Sequence, residues 1–181
     1  MMILIDIIQS YAIKGMILLM IIHMSLTLQD YISEKNENAA ITQELNQAAQ
    51  TFSSDLRLIG YNFPSKLFAT AQNNSIKFYG DMNNDGKLDS VSYYLTLVQS
   101  PRYTLFRSYD GAAGIPLCRN VTQFSLAYCD SAGIPISDLK KIKTVTATIQ
   151  VQSDKYVNGT YPTGSWKATI QPPNLTGMYG W

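Results

Sequence analysis

The chain has 181 residues, 46% of them apolar, and its charge is almost balanced, with 14 Lys and Arg against 13 Asp and Glu. This is room for one domain plus an appendage, and the balance argues against a strongly electrostatic partner, so no nucleic acid is expected. One histidine (His23) and two cysteines (Cys118, Cys129) leave His-dependent acid–base catalysis and Cys/His zinc centres poorly supplied.

Residues 1–28 are almost wholly apolar and contain no proline. One continuous helix is the simplest reading, and at about 1.5 Å per residue it covers roughly 40 Å, more than the ~30 Å of bilayer hydrocarbon. Asp6, Gln9, Ser10, Lys14 and His23 interrupt the apolar run, and no basic residue precedes it. A basic start and a small-residue cleavage site, the marks of a secretory signal, are lacking. Polar groups in such a helix need partners and by default mark function.

Two motifs share one register. With the mature start placed at Met2, Asp6 stands at the fifth position and Ala12-Ile13-Lys14-Gly15 follows it. This pattern resembles the N-terminus of type IV pilins and type II secretion pseudopilins, whose mature chains open on a short apolar run, then a glutamate, then an apolar helix with Ala-Ile-x-Gly. Ala12, Ile13 and Gly15 fall on that run. Met2 stands in place of the family's aromatic first residue, Asp6 in place of its glutamate, and Lys14 is unusual. The resemblance implies processing by a prepilin peptidase and N-methylation. It also implies residence in the inner membrane with a periplasmic or extracellular globular domain, and later incorporation into an extracellular filament. The implied partners are other pilin subunits, an inner-membrane assembly platform and, before assembly, the lipid bilayer.

A carboxylate in a water-poor fibre core must be paired. For Asp6 the partner expected is the α-amine of a neighbouring subunit's Met2, which would set axial register. The alternative is an interfacial first helical turn, favoured by the helix dipole. Lys14 is expected to snorkel to a headgroup or a neighbouring carboxylate, and His23 to be a tolerated residue on one helix face.

Polarity changes sharply at Gln29, and the charged stretch 34–38 is a place for the helix to fray or kink. The helical period nonetheless continues: Ile41, Leu45, Ala48, Ala49, Phe52, Leu56 and Ile59 recur at steps of three and four. Gly60 suits the C′ position and Pro64 forbids continuation, so the helix is expected to run to about Ile59. Beyond Ser75 short alternating segments predict strands at 76–79, 90–98, 103–109, 121–129, 143–152 and 165–170. Between them lie turn signals at Asn83–Gly86, Asp110–Gly111, Asp130–Gly133 and Asn158–Gly159, and 138–142 reads as a short helical turn. The expected fold is α+β: a hydrophobic helix (1–28), its amphipathic continuation (29–62) and a β-rich domain (63–181) whose antiparallel sheet packs on that continuation. The order of segments 54–61, 80–94, 116–130 and 142–152 is similar to that of larger minor pilins and J-type pseudopilins, which implies a pilin-like fold.

Asp81, Asn83, Asp85 and Asp89, with Gly86 for the turn and the Lys87 carbonyl, match the front of an EF-hand-type calcium loop. Position twelve is Ser92 instead of a bidentate glutamate, and the alternative is a turn in which Asp and Asn bond their own backbone. Calcium is the one cofactor the sequence admits. Cys118 and Cys129 are candidates for a disulfide in an exported domain. Geometry weighs against it, because a strand over 121–129 carries the chain roughly 26 Å away and disulfides need Cα atoms within about 7 Å. Buried thiols or an intersubunit link are the alternatives. Tyr156, Tyr161 and Tyr179 are candidate exposed contacts, with solvated loop positions the plainer account. No nucleophile–base–orienter set or phosphate-cradling loop is found, so the chain is not expected to be an enzyme. The expected function is a structural subunit of a filament. A membrane-anchored, calcium-dependent binding module that never polymerises is the alternative, with an anchored hydrolase behind it.

Overall fold

The computed structural model describes residues 2–157 and 159–175, with the backbone alone for residues 2–9 and Gln99. Helix α1 (Met2–Arg57) leads into β1 (Phe68–Ala71), β2 (Ser75–Gly80), β3 (Asp89–Gln99), β4 (Arg102–Tyr109), β5 (Ile115–Cys129), β6 (Thr144–Gln152) and β7 (Thr163–Ile170). A short 3-10 turn at Pro173–Leu175 closes the described chain. The seven strands form one sheet in sequence order, each antiparallel to the next. The fold is therefore α+β.

The helix is continuous through the charged stretch where fraying or a kink was expected. Its end is close to expectation: Leu58 N–H bonds the Asp55 carbonyl at 3.0 Å, and Gly60 takes a φ of 71° that an L side chain rarely adopts. Residues Leu45, Ala48, Ala49, Phe52, Leu56 and Ile59 are buried, as their spacing requires. They meet the inward-pointing set of the sheet, which alternates along each strand: Val91 and Tyr93 on β3, and Val145, Ala147, Ile149 and Val151 on β6. Phe52 is the centre of this contact, with edge-on rings from Tyr93 at 4.7 Å, Phe124 at 5.8 Å and Trp166 at 6.4 Å. Where α1 ends on the sheet, a Cβ at Gly80 would collide with the Leu58 carbonyl oxygen, so only glycine permits that approach.

Two features of the sheet differ from expectation. Strand β1 is additional, and β5 begins at Ile115 instead of Val121. Pro116 survives in β5 because residues before Val121 pair with β4 alone, leaving one side of the strand without a ladder. Asn120 has a φ of 52°, and the β4–β5 register shifts between Tyr103 and Leu105, opposite this residue; this is a bulge. The sheet then curls. The β1–β2 turn reaches the far half of β5, where Leu126 N–H donates to the Asn73 carbonyl at 2.7 Å and the Tyr128 hydroxyl to the Gln72 carbonyl at 2.9 Å. At the other end of the chain, Asn174 donates its amide to the Ile59 carbonyl at 3.0 Å and Leu175 is buried beneath the end of α1.

Candidate functional site

Among the described side chains of α1, those before Glu34 do not join the core. Every residue from Ser10 to Ser33 is exposed, and Met16, Ile17, Leu18, Leu19, Met20, Ile21 and Ile22 stand in a row. At 100° per residue, seven consecutive apolar side chains cover all sides of a helix, so this is an apolar cylinder and not an amphipathic stripe. Met20 is 76% exposed where Phe52, on the same helix, is 0%. Covering each such side chain is favourable by about 1.5–3 kcal/mol, and exposed apolar surface on this scale marks a lipid or protein contact. Among the described residues this is the one helix long and apolar enough to cross a membrane.

The expected motif lies on this cylinder. Ile13 is 58% exposed, Ala12 is exposed, and a Cβ on Gly15 would meet nothing within 4 Å. A bare glycine on a helix surface lets a second helix approach closely. The side chains of Met2 and Asp6 lie outside the described residues. The Lys14 ammonium sits 5.6 Å from the Tyr11 ring centroid, and His23 serves its helix through a backbone carbonyl that accepts from the Thr27 hydroxyl at 2.9 Å.

Among the described contacts, the carboxylates of Asp55, Glu44 and Glu37 fix the second half of α1 to the β-domain. Asp55 sits on the buried face of the helix and accepts from the Tyr93 hydroxyl at 2.5 Å and from Arg107 Nε at 2.6 Å, while its other oxygen accepts from Arg107 Nη2 at 3.2 Å. The hydrogen bond to Asp55 holds the Arg107 guanidinium above its ordinary range, and burial, followed by the Asp55 charge, pushes the Tyr93 phenol up. Near mid-helix, Glu44 accepts from the Arg119 backbone N–H at 2.7 Å. Two turns earlier, Glu37 pairs with Lys155 and accepts from the Ser153 hydroxyl at 3.0 Å. The Lys155 hydrogen bond lowers the Glu37 carboxyl, which burial alone would raise.

At the loop expected to bind calcium, as elsewhere among the described residues, no three His, Cys, Asp or Glu side chains gather around one point. The oxygens of the acidic loop accept backbone N–H groups instead. Asp81 takes Asp85 N–H at 3.0 Å, Gly86 N–H at 2.9 Å and the Asn62 amide at 2.9 Å. Asn83 also takes Asp85 N–H, Asp85 takes Lys87 N–H, and Asp89 takes Met82 N–H. Burial raises the Asp81 carboxyl, but the Asn62 amide and the N–H groups of Gly86, Asp85 and Asn84 together bring it below its ordinary value. This loop is a turn that ties the β2–β3 hairpin to the segment after α1.

The disulfide expectation is corrected. Cys118 and Cys129 both lie within strand β5 and are free thiols, Cys118 buried and Cys129 half-buried. Past the bulge at Asn120, the regular run Val121–Cys129 carries the chain roughly 26 Å along β6, so no bridge between the two forms without dismantling β5. Tyr156 and Tyr161 pack edge-on at 5.1 Å, with the Arg102 guanidinium 5.6 Å from the Tyr161 ring; Tyr179 lies outside the described residues. The chain matches no protein-family model, no curated protein and no solved structure.

Proposed function

We propose that the chain is a subunit of a type IV filament-like machine, a minor pilin or pseudopilin. In this reading its first helical half rests in the inner membrane before assembly and in the fibre core afterwards. The observation that carries the reading is the division of α1 into an exposed apolar cylinder and a stripe packed on the sheet. Such a helix is stable in water only if lipid or other helices cover its free half. One surface serves both situations, because side chains that dissolve in hydrocarbon also pack between helices, and Gly15 admits a close neighbour. The β-domain stays outside as the part that meets solvent. Asp6 supplies the register in this scheme, pairing with the α-amine of the adjacent subunit's Met2 as each subunit leaves the bilayer.

Mass spectrometry of the N-terminal peptide, from membrane and from sheared surface fractions, tests the proposal. A processed, N-methylated start at Met2 with recovery in the sheared fraction is the expected result. An unprocessed start confined to membranes would replace the filament subunit with a permanently anchored module.

A further inference from the structure

We propose that the end of the β-domain facing the first half of α1 is a lipid-contacting surface, which seats the domain on the bilayer while the helix spans it. This rests on the membrane residence of α1 proposed above. Position comes first. Strand β6 runs antiparallel to α1: Ile149 pairs with Trp166, which packs on Phe52; Gly164, paired with Val151, abuts Ile41 and Leu45; and Ser153 bonds Glu37. The β6–β7 loop therefore leaves the sheet beside the last turns of α1 before the apolar cylinder. The β3–β4 tip lies at the same end, because Arg102, at the base of that tip, donates to the Ser153 carbonyl at 3.2 Å and covers Tyr161.

Chemistry comes second. This end displays Leu97 and Val98 on the hairpin tip and Tyr156 and Tyr161 on the loop, with Val98 70% and Tyr156 64% exposed. On α1 itself, six residues before Glu37, Tyr31 is exposed with the Lys35 ammonium 5.5 Å from its ring centroid. Tyrosines with cations near their rings, flanked by aliphatic side chains, are what the headgroup layer favours, since the ring is part apolar and its hydroxyl stays wet. The elevation fits. Glu37 stands nine residues past Leu28, about 14 Å along the helix; the headgroup layer takes up roughly 5–8 Å of that. The remainder, roughly 6–9 Å, is the gap that the hairpin tip, the loop and its tyrosine side chains have to bridge. Acidic and basic groups are mixed here (Asp30, Glu34, Asp154 with Lys35, Arg102), so the surface suits the layer of ester groups and headgroups and not a purely anionic sheet of charge.

Site-directed spin labelling of the full chain, in vesicles of phosphatidylcholine and phosphatidylglycerol, tests this. In a Cys129→Ser background, where Cys118 is buried, labels are placed by Leu19→Cys in the helix, Val98→Cys on the tip, and Ser131→Cys in the loop before β6, at the end of that strand away from Tyr156. Collision with oxygen is compared with collision with a water-soluble nickel chelate. The expected oxygen-to-nickel ratio is highest at 19, severalfold above the aqueous value at 98, and aqueous at 131. A deep label at 19 with equal ratios at 98 and 131 overturns the docking surface and leaves the spanning helix standing. An aqueous label at 19 overturns both. A label at 98 shielded from both quenchers means that protein covers the tip, and overturns the lipid as its occupant.

Discussion

Asp55 is the charged residue that ties α1 to the inner face of the sheet. It lies on the buried face of α1, 9% exposed, and removing it strands Arg107 and Tyr93 on the inner face of the sheet. Hydrogen bonds to charged groups contribute about 1.5–3 kcal/mol each, and an orphaned donor costs more than the bond it lost. Asp55→Ala should therefore lower stability by about 2–3 kcal/mol, read from chemical denaturation of the full chain in detergent, with Asp55→Asn intermediate because an amide oxygen still accepts one donor. The two thiols differ as sharply. Burial, with the charge of Glu44 added, pushes the Cys118 thiol up to about 12, so it stays protonated and shielded under ordinary conditions. Mass spectrometry after brief alkylation of native protein should find Cys129 modified and Cys118 untouched, with both modified after denaturation. Rapid native labelling of Cys118 would mean that β5 opens. The Asp55 lock was half legible in the sequence. A carboxylate three positions after Phe52 falls on the apolar stripe, and Arg107 shares the inward phase of Leu105 and Tyr109 in its strand. What the sequence does not carry is that these two inward charges, 52 residues apart, meet.

At the scale of elements, α1 behaves as two helices joined without a break, and the join is held from outside by Glu37, Ser153 and Lys155. This clamp has a pH window. The Glu37 carboxyl lies below its ordinary value of 4.5, so its contribution is fully present above that value and disappears as pH falls through the lowered one. Lys155 is raised above 10.5, so its share is present below that value and is lost only as pH rises through the raised one. Amide exchange, corrected for intrinsic rates, should be unchanged around residues 34–41 and 153–157 across neutral pH and accelerate there as the pH falls below 4.5 and through the lowered Glu37 value. Lys155→Gln should weaken the clamp at neutral pH and flatten that response. The amphipathic half was legible because its period of three and four persists over five turns, and β3, β4 and β6 because they alternate. The start of β5 was not: Pro116 reads as a strand breaker, and only the one-sided pairing before Val121 lets it stay. Strand β1 was hidden by its four residues, Phe68-Ala69-Thr70-Ala71, too short and too alanine-rich to show a period. In the acidic loop the spacing of Asp and Asn was legible, but which backbone N–H each oxygen accepts was not, because that depends on where the carboxylates point.

For the whole molecule, the proposed role makes the N-terminal half a module that acts only through other copies. Asp6→Ala should abolish incorporation into filaments while leaving the β-domain folded, measured by sheared-fraction recovery beside circular dichroism; undiminished incorporation would remove the register role of that carboxylate. Fold class was legible because local signals agreed with one another: one helical period, then alternating strands separated by turn residues, which allow few topologies. The strictly sequential strand order carries a further consequence, for the time course of biogenesis. The helix stripe ending at Ile59 is synthesised before any strand, yet β7 and the Asn174 cap that cover it arrive roughly a hundred residues later. Throughout that interval the nascent chain holds out a sticky helix face and a growing, unmatched sheet margin. Completion of the last dozen described residues is thus the event that covers the helix stripe, and a chain cut short before β7 would leave that face open to proteases and to its own neighbours.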